Sequence, residues 1–382
     1  MKIAMMGLEC KSANKGCEAL TYSFINLAKQ VAGDDLELHV FGYADLGDMP
    51  AKHPDVSFHL HRLKLKNPLK WSSLRKEFDG MDLIVDATYG DGFSDIYGKK
   101  WNAITNLAKR IAIRSKTPFM LLPQTYGPYY NRFLRKWAYR IIRDADVAFS
   151  RDALSAKEVN AVIGDKVIET TDLAFALPFD KNAHAFDPTK THIGLNISAL
   201  LWDGGHADTI RLTTSYRDYC KRIIEALTAR PDVVVHLIPH VISLTNYSHG
   251  ENDYRACEEV HAMYPDTVLA PPFSDPIEAK NYISQMSFFL GARMHATIGS
   301  FSSGVVTIPF SYSKKFEGLY GNLEYPYVIS ATKVSTEEAV ETTLSYIEDP
   351  APLKEAQATA MAKIEGKLGT ILNKLASYAR KG

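Results

Sequence analysis

The sequence lacks several features that would each point to a particular class of protein. Its 382 residues include only four cysteines, none in a Cys-x-x-Cys pair, which argues against a disulfide scaffold and a cysteine-based zinc site. It has no run of about 18 apolar residues, as a transmembrane helix would need, and residues 1–7 are too short an apolar run for a signal peptide. Lys and Arg number 44, as do Asp and Glu, so the charge balance gives no sign of nucleic-acid binding. We therefore expect a cytoplasmic protein with no nucleic-acid partner.

The length and the apolar pattern predict two domains of the α/β class. A single hydrophobic core usually stops growing at about 250–300 residues, and this chain is longer. Short apolar runs alternate with stretches of helical apolar spacing, which is typical of doubly wound parallel sheets. In the first half, the predicted strands are residues 1–7, 36–41, 56–60, 83–87, 119–122, 147–150 and 166–169, and the predicted helices are 19–31 and 101–113.

The same alternation restarts after a polar segment with two prolines. Its predicted strands are residues 192–196, 233–238, 288–291 and 305–308, and its predicted helices are 216–228, 253–263, 277–284 and 350–377. We assign residues 1–180 to a first Rossmann-like domain, 181–191 to a linker, 192–348 to a second Rossmann-like domain and 349–382 to a helical tail. Ligands of such domains bind at the carboxyl ends of the strands.

The loop after the first predicted strand carries Asn14, Gly16 and Glu18 just before a helix. Free backbone amides and the helix dipole can hold an anion at such a place. The alternative is a plain turn that joins strand to helix. Asp91 lies in the sequence Tyr-Gly-Asp-Gly after another buried strand, where it could be a general base or could orient a sugar hydroxyl. The alternative is an aspartate that caps the following helix or forms an Asx turn.

Two further strands of the first half end in polar residues. Gln124 lies in a Pro-Gln-Thr-Tyr-Gly-Pro turn that the prolines make rigid, and a purely structural turn is the alternative. Arg151, in Ser-Arg-Asp, carries a planar charged group that suits a carboxylate or a phosphate. Its alternative is a pairing with Asp152 or with a neighbouring helix end.

The most informative segment of the second half contains Arg-Met-His at residues 293–295. A buried strand ends at Gly291, so Arg293 and His295 are expected at a helix N-terminus, where a phosphate ester would be bound and protonated. A structural histidine followed by a simple turn at residues 302–304 is the alternative. The other substrate-binding residues that we predict in this half are Asn196, His240, Met294 and Lys314.

Six motifs, taken in order, resemble those of the polysaccharide pyruvyl transferase family. They are Asn14-x-Gly16-x-Glu18-Ala19, Gly-Asp-Gly-Phe at 90–93, Pro-Gln-Thr-Tyr-Gly-Pro at 123–128, Ser-Arg-Asp at 150–152, Thr-Asp-Leu-Ala-Phe at 171–175 and Arg-Met-His at 293–295. Their order and spacing cover nearly all of residues 3–325. The resemblance implies a glycosyltransferase-B-like fold of two Rossmann-like domains with a cleft between them. It also implies phosphoenolpyruvate as the donor and a cyclic ketal that bridges two sugar hydroxyls as the product.

The resemblance also implies roles for individual residues. Arg293 and Arg151 would hold the phosphate and the carboxylate of phosphoenolpyruvate, His295 would be the acid, and Asp91 the base for an acceptor hydroxyl. The second domain would be the phosphoenolpyruvate side and the first the acceptor side. No cofactor and no metal are expected. The chain departs from many relatives at residues 89–92, where they carry three or four glycines, so the identity of the acceptor is not carried over.

The partners implied by the resemblance are phosphoenolpyruvate and a lipid-linked or nucleotide-linked sugar in bacterial capsule or exopolysaccharide biosynthesis. The basic segment 59–76 would contact the inner membrane surface or a pyrophosphate, and its alternative is a solvated helix and loop. Two other functions stay open. One is a nucleotide-sugar-dependent glycosyltransferase of the same fold, and the other is a non-catalytic sugar-binding protein of capsule assembly.

Overall fold

A computed structural model describes residues 1–42, 45–204, 211–246 and 250–379, apart from the side chains of Lys314 and Lys315. The chain separates into two compact units. The first unit consists of Met1–Ser12, Leu20–Ala176 and Ile364–Gly382, and the second of Ala13–Ala19 and Leu177–Lys363. A short segment near the N-terminus therefore belongs to the second unit, although the chain on both sides of it belongs to the first.

The first unit is built on a seven-stranded sheet whose neighbouring strands are all parallel. Its strands are β1 (Lys2–Met6), β2 (Glu37–Gly42), β3 (Ser57–Arg62), β4 (Leu83–Asp86), β5 (Phe119–Gln124), β6 (Val147–Ser150) and β7 (Val167–Glu169). They follow the order β3-β2-β1-β4-β5-β6-β7. This order reverses between β1 and β4, which makes the carboxyl ends of these two strands the expected ligand position.

The second unit repeats the arrangement with a six-stranded parallel sheet. Its strands are β8 (Thr191–Asn196), β9 (Val233–Leu237), β10 (Val268–Leu269), β11 (Phe288–Gly291), β12 (Val306–Ser311) and β13 (Ile329–Ser330). They follow the order β10-β9-β8-β11-β12-β13, so the reversal falls between β8 and β11. The predicted fold class of two doubly wound, Rossmann-like domains is confirmed.

Helices alternate with the strands along both units. They are α1 (Lys15–Ala32), α2 (Met49–Lys52), α3 (Trp71–Phe78), α4 (Lys99–Ile113), α5 (Arg132–Asp144), α6 (Ala153–Ile163), α7 (Ala199–Trp202), α8 (Tyr216–Thr228), α9 (Asp253–Met263), α10 (Pro276–Ile283), α11 (Met294–Ser302), α12 (Lys314–Asn322), α13 (Thr336–Glu348) and α14 (Ala351–Ala379). In the described part of the chain, no helix combines the length and the apolarity that a bilayer crossing requires.

The strands and helices predicted from apolar spacing are confirmed to within a few residues at their ends. The sequence analysis does not predict the short strands β10 and β13 or the helices α2, α5, α6, α7, α12 and α13. A signal for α13 was present, because Ser335 and Glu338 form a reciprocal capping box at its start. The four residues of β4, β6 and β11 are all buried, which explains why continuous apolar runs identified these strands.

A buried ion pair lies inside the first unit at the end of β4. Lys109 Nζ, from α4, is 3.4 Å from Asp86 Oδ1, and both side chains are almost fully buried. The Thr88 hydroxyl donates to the same carboxylate, and the ammonium lies over the ring of Phe93. Burial raises the pKa of Asp86 and lowers that of Lys109, while the charge of each partner opposes the shift of the other. The pair joins the ligand-facing end of the sheet to a covering helix.

Replacing Lys109 with methionine should destabilise the protein by about 3–5 kcal/mol near neutral pH, because the carboxylate of Asp86 loses its buried partner. This decrease in the free energy of unfolding should become smaller as the pH falls, because a protonated Asp86 costs less to bury than its carboxylate. Urea unfolding at several pH values measures both effects. The control is Lys100→Met, an exposed lysine on the same helix that should change stability by less than about 0.5 kcal/mol. Equal unfolding free energies for the two variants would contradict this account.

Candidate functional site

Polar side chains gather at the carboxyl ends of β8, β9 and β11 in the second unit. Asn196 ends β8, and its side-chain NH2 donates to the carbonyl of Ile238 at 2.9 Å. Its side-chain oxygen accepts from the backbone N–H of Arg293, also at 2.9 Å. The predicted substrate-binding residue Asn196 thus fixes the loop after β9 and the start of α11 against the end of β8.

The guanidinium of Arg293, the residue just before α11, is paired with carboxylates at the start of α9. Its Nη2 and Nε lie 2.8 and 3.1 Å from oxygens of Asp253, and its Nη1 lies 2.9 Å from Glu251 Oε2. Asp253 also accepts from the backbone N–H groups of Ala199 and Val241. Burial alone would lower the pKa of Arg293, but Asp253 above all raises it. The guanidinium is therefore charged and fixed in orientation.

The segment Ala13–Ala19 packs against the loop after β9. Asn14 forms an isolated antiparallel bridge with Val241, and the N–H of Lys15 donates to the carbonyl of His240 at 3.1 Å. These backbone contacts hold the N-terminus of α1 at the carboxyl edge of the second sheet. The predicted loop residue Asn14 therefore lies in the same unit as the predicted residue His240.

Gly16 lies directly against the imidazole of His295. A Cβ atom on Gly16 would lie only 2.7 Å from Cγ of His295, a distance that carbon atoms do not tolerate. The N–H of Gly16 donates to Oδ1 of Asn14 at 2.9 Å, which shapes the turn. The structure places Gly16 and Glu18 in the first turn of α1 and not in the loop before it. This glycine leaves space for His295, a predicted catalytic side chain.

Lys15 places a buried positive charge at the first residue of α1, a feature that the sequence analysis did not single out. Its Nζ lies 2.9 Å from Oε2 of Glu18 and 3.0 Å from the carbonyl oxygen of Ser274. The two charged side chains are only 7% and 4% exposed. Glu18, noted in the sequence as part of the loop motif, therefore serves to hold the lysine.

His240 is the most unusual residue of the cluster. It is 5% exposed, and neither of its ring nitrogens has a hydrogen-bond partner among the described residues. Burial, together with the positive charges of His295, Arg293 and Lys15, holds its pKa well below 6.5. Buried polar groups are nearly always hydrogen-bonded. A neutral imidazole with both nitrogens unsatisfied is consistent with a site that takes up a polar ligand.

The first turn of α11 completes the cluster. Arg293 makes no side-chain capping bond there, and the positive end of the helix dipole lies at His295, beside the Gly16 turn. Met294 begins the helix, and its carbonyl accepts from the hydroxyl of Thr297 at 2.7 Å. The cluster combines a helix N-terminus, fixed cations and two imidazoles, which is an arrangement suited to an anionic ligand and to proton transfer. The side chain of Lys314, predicted to close this pocket, lies outside the described residues.

The first unit has its own polar cluster, which begins in the loop after β4. Thr88 and Tyr89 have φ values of 40° and 58°, which is the left-handed region, and Gly90 follows with 84°. Such a conformation costs a residue other than glycine about 1–3 kcal/mol and is concentrated at functional sites. Two backbone hydrogen bonds hold the loop. The N–H of Tyr89 donates to the carbonyl of Gly7 at 2.7 Å, and the backbone N–H of Thr125 donates to the carbonyl of Gly90.

Arg151 leaves the end of β6 and reaches this loop. Its Nη1 lies 2.8 Å from Oδ2 of Asp172, and its Nε donates to the hydroxyl of Thr125 at 3.0 Å. A Cβ on Gly90 would lie 2.8 Å from the same Nη1, so glycine allows the guanidinium to approach the backbone. Burial alone would lower the pKa of Arg151, but the carboxylates of Asp172 and Asp91 raise it.

The structure also shows which of the sequence alternatives occur at these strand ends. Asp152 does not pair with Arg151; it caps α6 by accepting from the N–H of Ser155 at 2.7 Å. Gln124 donates to the carbonyl of Asp86, and its backbone carbonyl accepts from the N–H of Arg151. Gln124 therefore links the ends of β4, β5 and β6.

Asp91 is half-buried in the loop after β4. Both of its oxygens accept from the hydroxyl of Tyr97, at 3.0 and 3.1 Å. It does not cap the next helix, because the N-cap residue of α4 is Gly98. The carboxylate is consequently placed in the loop near the charge of Arg151, in keeping with the predicted role of a base or a hydroxyl-binding group.

Sequence reasoning missed the acidic partners that orient the two arginines. Asp172 lies in the Thr-Asp-Leu-Ala-Phe motif, which was noted but given no role. Asp253 and Glu251 stand at the start of a predicted helix, where an acidic residue is ordinary. No local pattern distinguishes an aspartate that caps a helix from one that holds a buried arginine 40 positions away.

Comparisons with known proteins show the family and the fold. A family model described as polysaccharide pyruvyl transferase matches residues 14–314. Similar solved structures include the UDP-GlcNAc 2-epimerase of Neisseria meningitidis bound to UDP-GlcNAc, with a TM-score of 0.60, 11% identity and coverage of 99% of this chain and 100% of that chain. A glycosyltransferase of Rickettsia africae has a TM-score of 0.60, 12% identity and coverage of 100% and 99%. At these identities the likeness shows the fold alone. No curated protein matches the sequence.

Replacing His240 with glutamine should remove part of the loss of stability in acid. Below pH 6.5 the unfolded chain binds a proton at His240 that the folded protein excludes, so stability falls by about 1.4 kcal/mol for each pH unit. Urea unfolding at about pH 7.5, 6.5 and 5.5 measures the slope. His236, whose pKa burial lowers to about 4, contributes in both proteins, so their difference isolates His240. Identical slopes would contradict the burial of a neutral His240.

Replacing Gly16 with alanine should displace the imidazole of His295 and destabilise the second unit by about 1–3 kcal/mol, the usual cost of overpacking. Urea unfolding gives the stability, and the NMR signals of the His295 ring report its displacement. Gly318→Ala is the control, because a Cβ there meets nothing within 4 Å and alanine favours a helix. An unmoved His295 in Gly16→Ala would refute the contact.

Proposed function

The chain belongs to the polysaccharide pyruvyl transferase family, and from this premise we propose that it transfers the pyruvyl group of phosphoenolpyruvate onto two hydroxyls of a sugar in surface-polysaccharide biosynthesis. The observation that carries the proposal is the cluster in the second unit. There, the unsatisfied imidazole of His240 lies beside the N-terminus of α11, Lys15, Arg293 and His295. This is a site for a small ligand with several negative charges, as phosphoenolpyruvate is.

In this proposal, the second unit binds the donor. The amides at the start of α11 and the charge of Lys15 take the phosphate. Asp253 is fully buried and stays with Arg293, whereas Glu251 has a side chain that is 45% exposed. Glu251 is therefore the carboxylate that the donor's own carboxylate replaces on the guanidinium. The ring of the neutral His240 forms a hydrogen bond with the bound phosphoenolpyruvate.

The proposed reaction needs one proton and releases inorganic phosphate. His295 protonates the methylene carbon of phosphoenolpyruvate, and the adjacent carbon becomes an oxocarbenium-like electrophile. One sugar hydroxyl adds to this carbon and loses its proton, for which Asp91 is the candidate base. A second hydroxyl then displaces the phosphate from the same carbon, which closes the ketal. Of the two hydroxyl protons, one replaces the proton that His295 gave to the methylene carbon, and the other leaves on the inorganic phosphate. The positive groups around the phosphate stabilise the charge that develops on it as it leaves.

A pocket in the first unit supports a lipid-linked acceptor. It has a volume of about 560 Å³, within the range of small-molecule sites. Its walls combine apolar side chains with three lysines and an asparagine: Leu63, Leu65, Trp101, Ile104, Leu107, Lys64, Lys66, Lys70 and Asn67. The surface that lines the pocket is almost entirely apolar, so the lysines contribute their alkyl stems and an apolar chain would occupy the interior. These residues overlap the basic segment 59–76, for which we propose contact with an anionic membrane surface.

The test is turnover of phosphoenolpyruvate with a panel of lipid-linked and nucleotide-linked sugars, followed by phosphate release and by the mass gain of the sugar. His295→Gln should lower turnover by about 10²–10⁴-fold, the usual contribution of a general acid. The matched control is His261→Gln. His261 is a half-buried histidine on α9, and the hydrogen bond described for its ring joins Nδ1 to the hydroxyl of Thr267. This variant should leave turnover unchanged. Loss of activity in both variants would contradict the role of His295.

The same experiment separates the alternatives. The similar folds of an epimerase bound to UDP-GlcNAc and of a glycosyltransferase favour a nucleotide-sugar donor as the second candidate. Consumption of a nucleotide sugar without phosphoenolpyruvate would establish that function instead. Binding of phosphoenolpyruvate or of a sugar without turnover would indicate a sugar-binding protein of the assembly pathway.

A further inference from the structure

A group of histidine and glutamate side chains lies at the edge of the first sheet, on strands β2 and β3, and has no part in the proposed reaction. Edge strand β3 pairs with β2 so that His39 stands opposite His59 and Phe41 opposite His61. Side chains two residues apart on a strand point to the same face. Glu37 and His39 therefore share one face of the sheet with His59 and His61.

Three of these side chains bring ligand atoms close together. The rings of His39 and His59 are stacked, with centroids 4.5 Å apart and planes at 19°, so the exposed His59 ring must turn for both nitrogens to face one ion. Nε2 of His39 is 3.7 Å and Nε2 of His59 is 4.0 Å from Oε2 of Glu37. One ligand atom from each residue lies within 4.8 Å of the other two, and no other group in the described part of the chain meets this condition. Around a tetrahedral zinc ion, ligand atoms are about 3.3 Å apart, so closure needs shifts of no more than about 1.5 Å. His59 is 49% exposed and has room to make them.

A chain of hydrogen bonds fixes the tautomer of His39 that leaves Nε2 free of a proton. Nδ1 of His61 lies 3.0 Å from Oε2 of Glu77, and Nε2 of His61 lies 2.9 Å from Nδ1 of His39. A carboxylate can only accept, so a neutral His61 donates from Nδ1 and accepts at Nε2. His39 must then donate from its Nδ1. Its Nε2 is left with a lone pair, on the side of the ring that faces Glu37.

We propose that Glu37, His39 and His59 bind a divalent metal ion of the zinc type, with water as the fourth ligand. Two imidazoles and one carboxylate are a ligand set that zinc commonly takes in proteins. Glu77 acts through His61 as a positioning residue, since a carboxylate behind a ligating histidine fixes its tautomer and raises its basicity. The ion ties edge strand β3 to β2. Lys2, whose Nζ is 3.5 Å from Oε2 of Glu37, gives up that exposed pairing.

Calorimetric titration of the full chain with zinc chloride, on protein without a polyhistidine tag, tests the site directly. We expect one zinc ion per chain, with affinity lowered at least 10-fold in Glu37→Gln and in His39→Ala. His261→Gln, which lies in the other unit, is the matched control and should bind zinc as the unaltered protein does. No zinc binding, or equal binding in Glu37→Gln and the control, would overturn the proposal.

The positioning role has its own readout. Glu77→Gln keeps all three ligands, so it should still bind cobalt(II), but with an affinity about 10–100-fold lower and an altered visible absorption band. Zinc should also raise the melting temperature of the unaltered protein and not that of His59→Asn, a change on an exposed edge strand that should leave the metal-free fold intact. An equal rise in both proteins, or an unchanged cobalt band and affinity in Glu77→Gln, would overturn the assignment of those residues.

Discussion

The carboxylate of Asp253 holds the donor-side cluster of the second unit together. It has no exposed surface, and it accepts hydrogen bonds from the guanidinium of Arg293, from the backbone N–H of Ala199 at the start of α7, and from those of His240 and Val241 in the loop after β9. These residues follow β8 and β9 and precede α11. A buried charge of this kind is tolerated only when its partners are fixed. The same bonds that neutralise Asp253 therefore bring the ends of neighbouring strands into one arrangement.

The functional cluster depends on that arrangement. Because Arg293 is held by Asp253, the first turn of α11 starts at a defined place, and His295 follows one residue later against Gly16. His240 lies in the loop whose backbone Asp253 fixes, and it is buried with its ring nitrogens unsatisfied. The cluster thus combines a rigid scaffold of hydrogen-bonded polar groups with a buried imidazole, His240, that has no hydrogen-bond partner for its ring among the described residues, as expected of a preorganised ligand site.

The first unit follows the same principle with different residues. Arg151 is held by Asp172, and the strained backbone of Thr88 and Tyr89 is held by hydrogen bonds to neighbouring strand ends. In both units a buried arginine at a strand end is paired with an acidic residue that comes from elsewhere in the chain. Pairing keeps the arginine charged in a poorly solvated place, and it orients a group that local backbone geometry alone would leave mobile.

Much of this architecture follows from local sequence patterns. The apolar runs that became β4, β5 and β11 identified parallel strands, since strands covered on both faces lose the usual alternation. The order of motifs identified the family. Helix α13 was missed although its capping box was present, and the basic segment 59–76 drew attention to its charge and not to the alternating histidines at its start.

The sequence by itself determined the fold class, the family and the placement of Asp91, Arg151, Arg293 and His295 at strand ends. The fold class and these placements follow from apolar periodicity and turn residues, which act over a few neighbouring positions. The family follows from the order of the six motifs. Only the tertiary structure decided which acidic residue pairs with each arginine and that histidines from β2 and β3 lie close together. It also decided that the ring nitrogens of His240 are buried without a hydrogen-bond partner among the described residues. Pairing and burial depend on strand order and on contacts between residues far apart in the chain, and no local pattern encodes them.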